Sequence, residues 1–312
     1  MPDKLFDFRM HDGSRNFADL PEVIFFDKLR EIAKLLEGAA ETAFVTDWVT
    51  EVWLDFDFRG YKFSINNQNG DYWFFVENPE CPDKILLEVV EHFQSFIMKR
   101  MAFYGGSFDP PHIGHLAIAR KLTEIFALDE FVFIPAFHAP HKLDRKPISA
   151  FHRYTMLGLT TQNDLELKVS TVELDAPEKP FTVETQAKLK NELSGAEIFF
   201  VIGADSWMEI TTWRNWETVL TATNIIVVTR PDYEIGFSHV TEEIQKRTID
   251  LRGTQLQSEI RNPESKIYFT DAVQIDVSAT EIRRKIHDKQ IDWHELVPPE
   301  VAKYIEKYEL YI

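Results

Sequence analysis

Gly105-Gly106-Ser107-Phe108-Asp109-Pro110-Pro111-His112-Ile113-Gly114-His115 joins two segments of different periodicity. Residues 99–104 (K-R-M-A-F-Y) are mostly apolar and short, as a strand is. Beyond the stretch, Leu116, Ala119, Leu122, Ile125 and Phe126 recur at helical spacing. A strand, a tight glycine-containing turn and a helix make a phosphate site. Gly105 and Gly106 carry no Cβ, so a ligand can approach their backbone closely. The helix opening near Ile113 aims its unpaired N–H groups and positive dipole end at whatever sits there. His112 and His115, three residues apart across that first turn, can share one face. Two imidazoles beside a helix N-terminus suit an anion whose charge grows during reaction. His-x-x-His is also half of a metal site, but no third or fourth ligand of fitting type clusters nearby in the sequence.

The whole string is more specific than any of its parts. It resembles the signature of the nucleotidyltransferases that carry H-x-G-H, here His112-Ile113-Gly114-His115. Within them, the form G-G-x-F-D-P-x-H-x-G-H is similar to that of the bacterial nicotinate-nucleotide adenylyltransferases. The resemblance covers residues 98–312 and none of the first 97. It implies an α/β, Rossmann-like doubly wound parallel sheet, with ATP and nicotinate mononucleotide as substrates and Mg2+ accompanying the ATP. It implies that Gly105, Gly106, Ser107 and Phe108 line the phosphate site. His112 and His115 would hold the triphosphate and neutralise its developing charge.

Hydrophobic residues are 44% of the 312 and charged ones 27%, the balance of a globular protein with a sizeable core. No apolar run approaches the length of a membrane helix, and the first residues lack a signal-peptide pattern. The single cysteine, Cys81, excludes an internal disulfide and fits a reducing cytoplasm. It precedes a proline in a turn-like stretch and has no further part. A net charge of −17 argues against nucleic acid, which is bound by basic surfaces. It does not argue against nucleotides, since one cleft can still focus positive potential. The candidate cations are Lys142, Arg145, Lys146, Arg230, Arg283 and Arg284.

Residues 1–97 form a separate unit in this reading. An amphipathic helix at 22–36 is followed by alternating strands at 53–58 and 61–65, an Asn-Gly hairpin at 66–71 and a return strand at 72–76. A helix at about 84–96 closes what is expected to be a small accessory α+β domain with no catalytic constellation. His92 is expected to be a solvated surface histidine. This part holds 19 Asp and Glu against 9 Lys and Arg, −10 of the total −17. An acidic module repels nucleotides, so a role in protein contacts, self-association or regulation is expected, against the plainer reading of an appendage that adds solubility.

From residue 98 strands and helices alternate: strands at 131–135, 165–169, 197–202, 224–229 and 267–269, helices at 149–161, 182–193, 279–287 and 299–308. Near-continuous apolar strands in repeated βα units specify a parallel sheet covered on both faces. Ligands bind beyond the carboxyl ends of such strands. Residues 232–265 are polar, weakly periodic and not assigned.

Four further stations follow predicted strands. The run Phe137-His138-Ala139-Pro140-His141-Lys142 is either a solvated basic loop or, as the resemblance implies, the source of a phosphate contact from Lys142. In Gly203-Ala204-Asp205-Ser206, Asp205 is either a helix N-cap or an acceptor for ribose hydroxyls. Trp213 and Trp216, three apart, are placed on one helical face. Most such tryptophans are core, but the resemblance implies that Trp213 stacks on the pyridine ring. Val277-Ser278-Ala279-Thr280-Glu281-Ile282-Arg283 resembles the family's I-S-S-T-x-I-R. Ser278 with Glu281 fits a capping box, while Thr280 and Arg283 can face one phosphate chain. Arg230 matches the family's Arg-Pro and adds a cation.

One departure stands out. Where the family often has Ser-Tyr-Thr, this chain has Pro180-Phe181-Thr182, so two donors are gone and Thr182 remains. ATP chemistry is untouched, and acid versus amide at the pyridine ring stays open. The expected reaction is in-line transfer of AMP to the mononucleotide with no covalent enzyme intermediate. Alternatives are a nicotinamide-mononucleotide or dual enzyme, another H-x-G-H nucleotidyltransferase, a non-catalytic nucleotide sensor, and an interaction protein led by its first domain.

Overall fold

A computed structural model describes residues 5–312 apart from 23, 69, 138–146, 177, 179, 194, 230–234 and 254–265. The chain divides into two compact units, Met1–Met98 and Lys99–Ile312.

The first unit runs β1 (Phe8–Arg9), β2 (Arg15–Pro21), α1 (Phe26–Leu35), β3 (Ala40–Thr46), β4 (Val52–Phe58), β5 (Tyr61–Gln68), β6 (Asp71–Val76) and α2 (Asp83–Ile97). Its strands form one antiparallel sheet in the order β1-β2-β6-β5-β4-β3. Leu54, Phe56, Phe63, Ile65 and Phe74 share one core with Leu29 and Ile32 of α1 and Val89 and Phe93 of α2. The expected helices and three strands are present, and three further strands join them. β2 escapes a periodicity reading because Arg15 and Asn16 are buried by hydrogen bonding rather than by apolarity. Arg15 donates to the Phe6 carbonyl at 3.0 Å and to Asp83 at 3.1 Å, and Asn16 donates to the Phe74 carbonyl at 3.1 Å. β3 is an edge strand with a register shift between Glu41 and Ala43, and its alternation is blurred. His92 corrects the expectation of a solvated residue. It is half-buried, with Nε2 2.7 Å from the Ile32 carbonyl oxygen and its ring against Phe93 and Phe96. Cys81 is buried and free, its thiol pushed up to about 11 by burial. Asn69 of the Asn-Gly turn lies outside the described residues.

The second unit runs β7 (Arg100–Gly106), α3 (Ile113–Ile125), β8 (Glu130–Pro135), α4 (Ala150–Thr161), β9 (Leu167–Val169), α5 (Thr182–Glu192), β10 (Glu197–Gly203), α6 (Ala204–Met208), α7 (Trp216–Ala222), β11 (Asn224–Val228), α8 (Glu242–Lys246), β12 (Thr248–Asp250), β13 (Ile267–Thr270), α9 (Ala279–His287) and α10 (Pro299–Lys307). All seven strands are parallel, in the order β12-β13-β11-β10-β7-β8-β9. The sheet is Rossmann-like and doubly wound. Successive residues of β10 show why its strands read as unbroken apolar runs. Ile198, Phe200 and Ile202 enter one core, and Phe199 and Val201 enter the core on the opposite face. Within the unassigned 232–265, α8 and β12 are now placed. No helix among the described residues is long and apolar enough to cross a membrane.

The strand order reverses between β7 and β10. That crevice lies beyond Gly105 and Gly106 on one strand and Gly203 on the other, where open α/β sheets bind ligands.

Candidate active site

At the end of β7 the two glycines have different reasons to be glycine. A Cβ on Gly105 would meet nothing within 4 Å, so its backbone borders open space. A Cβ on Gly106 would lie 2.9 Å from the Phe108 ring. The Phe108 side chain is turned into the core. It is 1% exposed, and its ring packs 4.9 Å from His115, 5.4 Å from Phe133 and 5.6 Å from Tyr104, centroid to centroid. Its φ of +46° turns the chain there.

His112 is the N-cap of α3 in extended conformation, and its backbone N–H donates to Nδ1 of His115 at 3.2 Å. Because Nδ1 of His115 accepts, the proton of the neutral imidazole sits on Nε2, which is then a fixed donor. The two rings stack with centroids 3.6 Å apart and planes 28° apart. Gly114 makes this stack fit: a Cβ there would stand 3.1 Å from Nδ1 of His112. The spacing H-x-G-H thus yields a pair of imidazoles packed against the first turn of a thirteen-residue helix.

α9 contributes from the far end of the chain. Ser278 caps it by accepting from the Glu281 N–H at 3.2 Å, which commits an oxygen lone pair and leaves the hydroxyl proton to donate. Glu281 pairs with Lys285 at 3.8 Å. Arg283 donates to the Thr280 hydroxyl at 3.0 Å, bringing the two together as their spacing requires, and to the Asp109 carbonyl at 2.6 Å. Arg283 is therefore anchored to the turn before α3 and is not a freely ranging cation.

On the β10 side, Gly203 is the N-cap of α6 and Asp205 stands in the first turn, exposed. Asp205 is not the cap; its Oδ1 accepts from Ser206 N–H at 2.8 Å, and a Cβ on Gly203 would lie 2.6 Å from that oxygen. The tryptophans do not share a helix face. Asn215, at φ +51°, turns the chain between Trp213 and Trp216, and α7 begins only at Trp216. Both indoles are half-buried against the same apolar core. Arg214 joins this segment to the start of α5: its guanidinium lies 4.7 Å from the Phe181 ring centroid and 3.3 Å from Glu184 Oε1. Glu184 Oε2 accepts the Phe181 N–H at 3.0 Å, so that donor is spent. Thr182 and Val183, half-buried, follow at the first two positions of α5. Lys142 and Arg230 lie outside the described residues, as do Arg145 and Lys146.

Three residues to which the sequence reading gives no role of their own organise the turn. Arg153 is 1% exposed and donates to the carbonyls of Ser107 at 2.8 Å and Ala136 at 2.6 Å, tying the loops after β7 and β8 together. Burial lowers its pKa. Its signal was faint but present, an arginine on the apolar stripe of α4 with Met156, Leu157 and Thr160. Asp109 and Tyr311 are the other two, 202 residues apart and hydrogen-bonded at 2.8 Å.

Comparison with known proteins places this arrangement. Residues 103–285 match the family model described as cytidylyltransferase-like. The proteins named "Probable nicotinate-nucleotide adenylyltransferase" of Thermoanaerobacter sp. (strain X514) and of Desulfatibacillum aliphaticivorans are each 33% identical to this chain. The alignments cover 68% of this chain and 94% and 100% of those proteins. The chain belongs to the nicotinate-nucleotide adenylyltransferase family. The Plasmodium falciparum nicotinic acid mononucleotide adenylyltransferase complexed with NaAD shares the fold. Its TM-score is 0.52 at 20% identity, over 68% of this chain and 97% of that one. In this member of the nicotinate-nucleotide adenylyltransferase family, the matched residues 103–285 fall wholly within the second unit.

Proposed function

We propose that the chain transfers the adenylyl group of ATP to nicotinate mononucleotide, releasing pyrophosphate and forming deamido-NAD. A 5′-phosphate oxygen of the mononucleotide attacks the α-phosphorus in line. The new O–P bond forms as the bond to the β-phosphate oxygen breaks, and the electron pair leaves with pyrophosphate. The observation that carries this reading is the stacked His112–His115 pair at the N-terminus of α3, beside the open backbone of Gly105. Charge building on the transferring and leaving oxygens is met there by Nε2–H of His115, by His112 and by the first-turn N–H groups. Arg283, Thr280 and the hydroxyl of Ser278 are assigned to the triphosphate. Lys142 and Arg230 are assigned to it by their motifs alone.

Mg2+ would enter with ATP as part of the nucleotide substrate and would supply charge neutralisation at its phosphates. The described residues hold no group of three His, Cys, Asp or Glu side chains suited to a resident ion. The Asp109 carboxylate is engaged by Tyr311, so no step is assigned to a protein-held metal.

The pyridine ring is assigned to Trp213 and the ribose to Asp205 with Gly203. An acid at position 3 of the ring is favoured by two features near Thr182. The first-turn N–H groups of Thr182 and Val183 have no partner one turn back in the helix. The Arg214 guanidinium, held over Phe181 and paired with Glu184 at 3.3 Å, brings further N–H donors beside them. The test is product analysis with ATP and either mononucleotide. A higher kcat/KM for nicotinate mononucleotide is expected. Equal values make the enzyme dual-specific, and no pyrophosphate release with either refutes the proposal.

For residues 1–97 we propose a folded accessory domain for protein contacts or self-association, outside the chemical step. Its separate core supports this, as do Val45, Trp48, Val49 and Trp53, all exposed on one β3–β4 hairpin.

A further inference from the structure

A buried polar cluster of Asp109, Arg153, Arg283 and Tyr311 adjoins the 105–115 turn, and of its members only Arg283 is assigned to the transfer chemistry. Tyr311, in the turn that follows α10, is 6% exposed and donates its hydroxyl to Asp109 Oδ1 at 2.8 Å. Asp109 is itself 7% exposed. Arg283 donates to the Asp109 carbonyl and stands 4.0 Å from its Oδ2, and Arg153 holds the Ser107 carbonyl two residues earlier. Three side chains, from α4, α9 and the segment after α10, thus converge on Ser107 and Asp109.

Two guanidiniums stand near the Asp109 carboxylate, and Glu173 adds a second negative charge beside Arg153. Tyr311 supplies Asp109 with a hydrogen bond while adding no charge. Burial and the neighbouring Asp109 carboxylate raise the ionisation of its phenol well above the ordinary range, so the hydroxyl remains a donor at any working pH. The position is also enforced by the backbone. Tyr311 has φ +69° and Glu309 φ +51°, conformations that non-glycine residues hold only where their surroundings fix them. Apolar packing supplies that fixing, through Met156, Ile282, Val301 and Ile305.

Without the hydroxyl, the buried carboxylate would have to find another donor. Arg283 already stands 4.0 Å from Oδ2. We propose that Tyr311 is a positioning residue for adenylyl transfer: its neutral hydroxyl keeps Asp109 from capturing Arg283, so that the turn stays in place and the guanidinium charge remains available to the triphosphate. This rests on the adenylyl-transfer reading of the site.

The test is Tyr311→Phe, alone and combined with Asp109→Asn, assayed by pyrophosphate release with thermal melting of each protein. Tyr311→Phe removes one oxygen and is expected to lower kcat by roughly tenfold, the scale of a small misplacement. The melting temperature and the KM for the mononucleotide should stay near wild type. Adding Asp109→Asn removes the competing charge and is expected to restore part of the lost kcat. The proposal is overturned if Tyr311→Phe retains kcat within twofold. It is overturned equally if the loss matches the unfolded fraction, if the variant does not fold, or if the double variant is no faster than the single one. A wild-type protein that releases no pyrophosphate refutes the adenylyl-transfer reading instead, so the two failures are distinguishable.

Discussion

Gly114→Ala sets the catalytic geometry against helix stability. A methyl group there would stand 3.1 Å from Nδ1 and 3.2 Å from Cε1 of His112. Comfortable contacts of this kind lie at about 3.5–4.0 Å, so the imidazole must give way by a few tenths of an ångström. It cannot do so while keeping its stack, because His115 is 3.6 Å away and is itself held by the His112 N–H and the Phe108 ring. Misplacement by a full ångström costs about a hundredfold in rate, and outright loss of one electrostatic stabiliser about a hundred- to a thousandfold. A fraction of an ångström at one of two imidazoles should therefore lower kcat by roughly tenfold. Stability should move the other way or not at all, since alanine is favoured over glycine within a helix by up to about 1 kcal/mol. Steady-state pyrophosphate release at saturating substrates, with a thermal melt of the same sample, reads both. A kcat within twofold of wild type at an unchanged melting temperature would refute the claim that this contact sets the position of His112.

Three other outcomes are expected. Arg214→Ala should lower kcat/KM for nicotinate mononucleotide several-fold and leave the amide nearly unaffected; an unchanged acid-to-amide ratio removes Arg214 from the pyridine site. Burial holds the His92 imidazole below its ordinary pKa, so the native first unit refuses a proton that the unfolded chain accepts below about pH 6.5. Stability of that unit should therefore fall as pH drops through that value and be level above it. Urea midpoints across that range should show the slope in the wild type and lose it in His92→Asn, and equal slopes would rule His92 out as its source. A chain beginning at Met98 should fold and keep most of its kcat; a folded chain with little activity would mean that the first unit completes the active site.

The parts of the fold that were legible are those whose burial is purely apolar. β8, β10 and β11 lie inside the sheet with both faces covered, so their composition alone marks them. β2 and β3 were not legible because polar burial at Arg15 and Asn16 and an exposed, bulged edge erase the period of two. At the site, the His112–His115 pairing follows from local helix geometry and was readable. The supporting contacts were not: Asp109 meets Tyr311 across 202 residues, and Arg153 meets Ser107 across 46, distances over which spacing carries no information. Trp213 and Trp216 mark an intermediate case, where an i, i+3 spacing implies a helix face and a left-handed Asn215 breaks it.

The role of the imidazole pair is tested most directly by His115→Ala, assayed for pyrophosphate release at saturating ATP and nicotinate mononucleotide. This substitution removes both the Nε2–H donor and the acceptor for the His112 N–H while leaving the buried core beneath it in place. A fall in kcat on the order of a hundredfold or more is predicted, with the protein still folded. Turnover near that of the wild type would contradict the assignment of charge stabilisation to the pair.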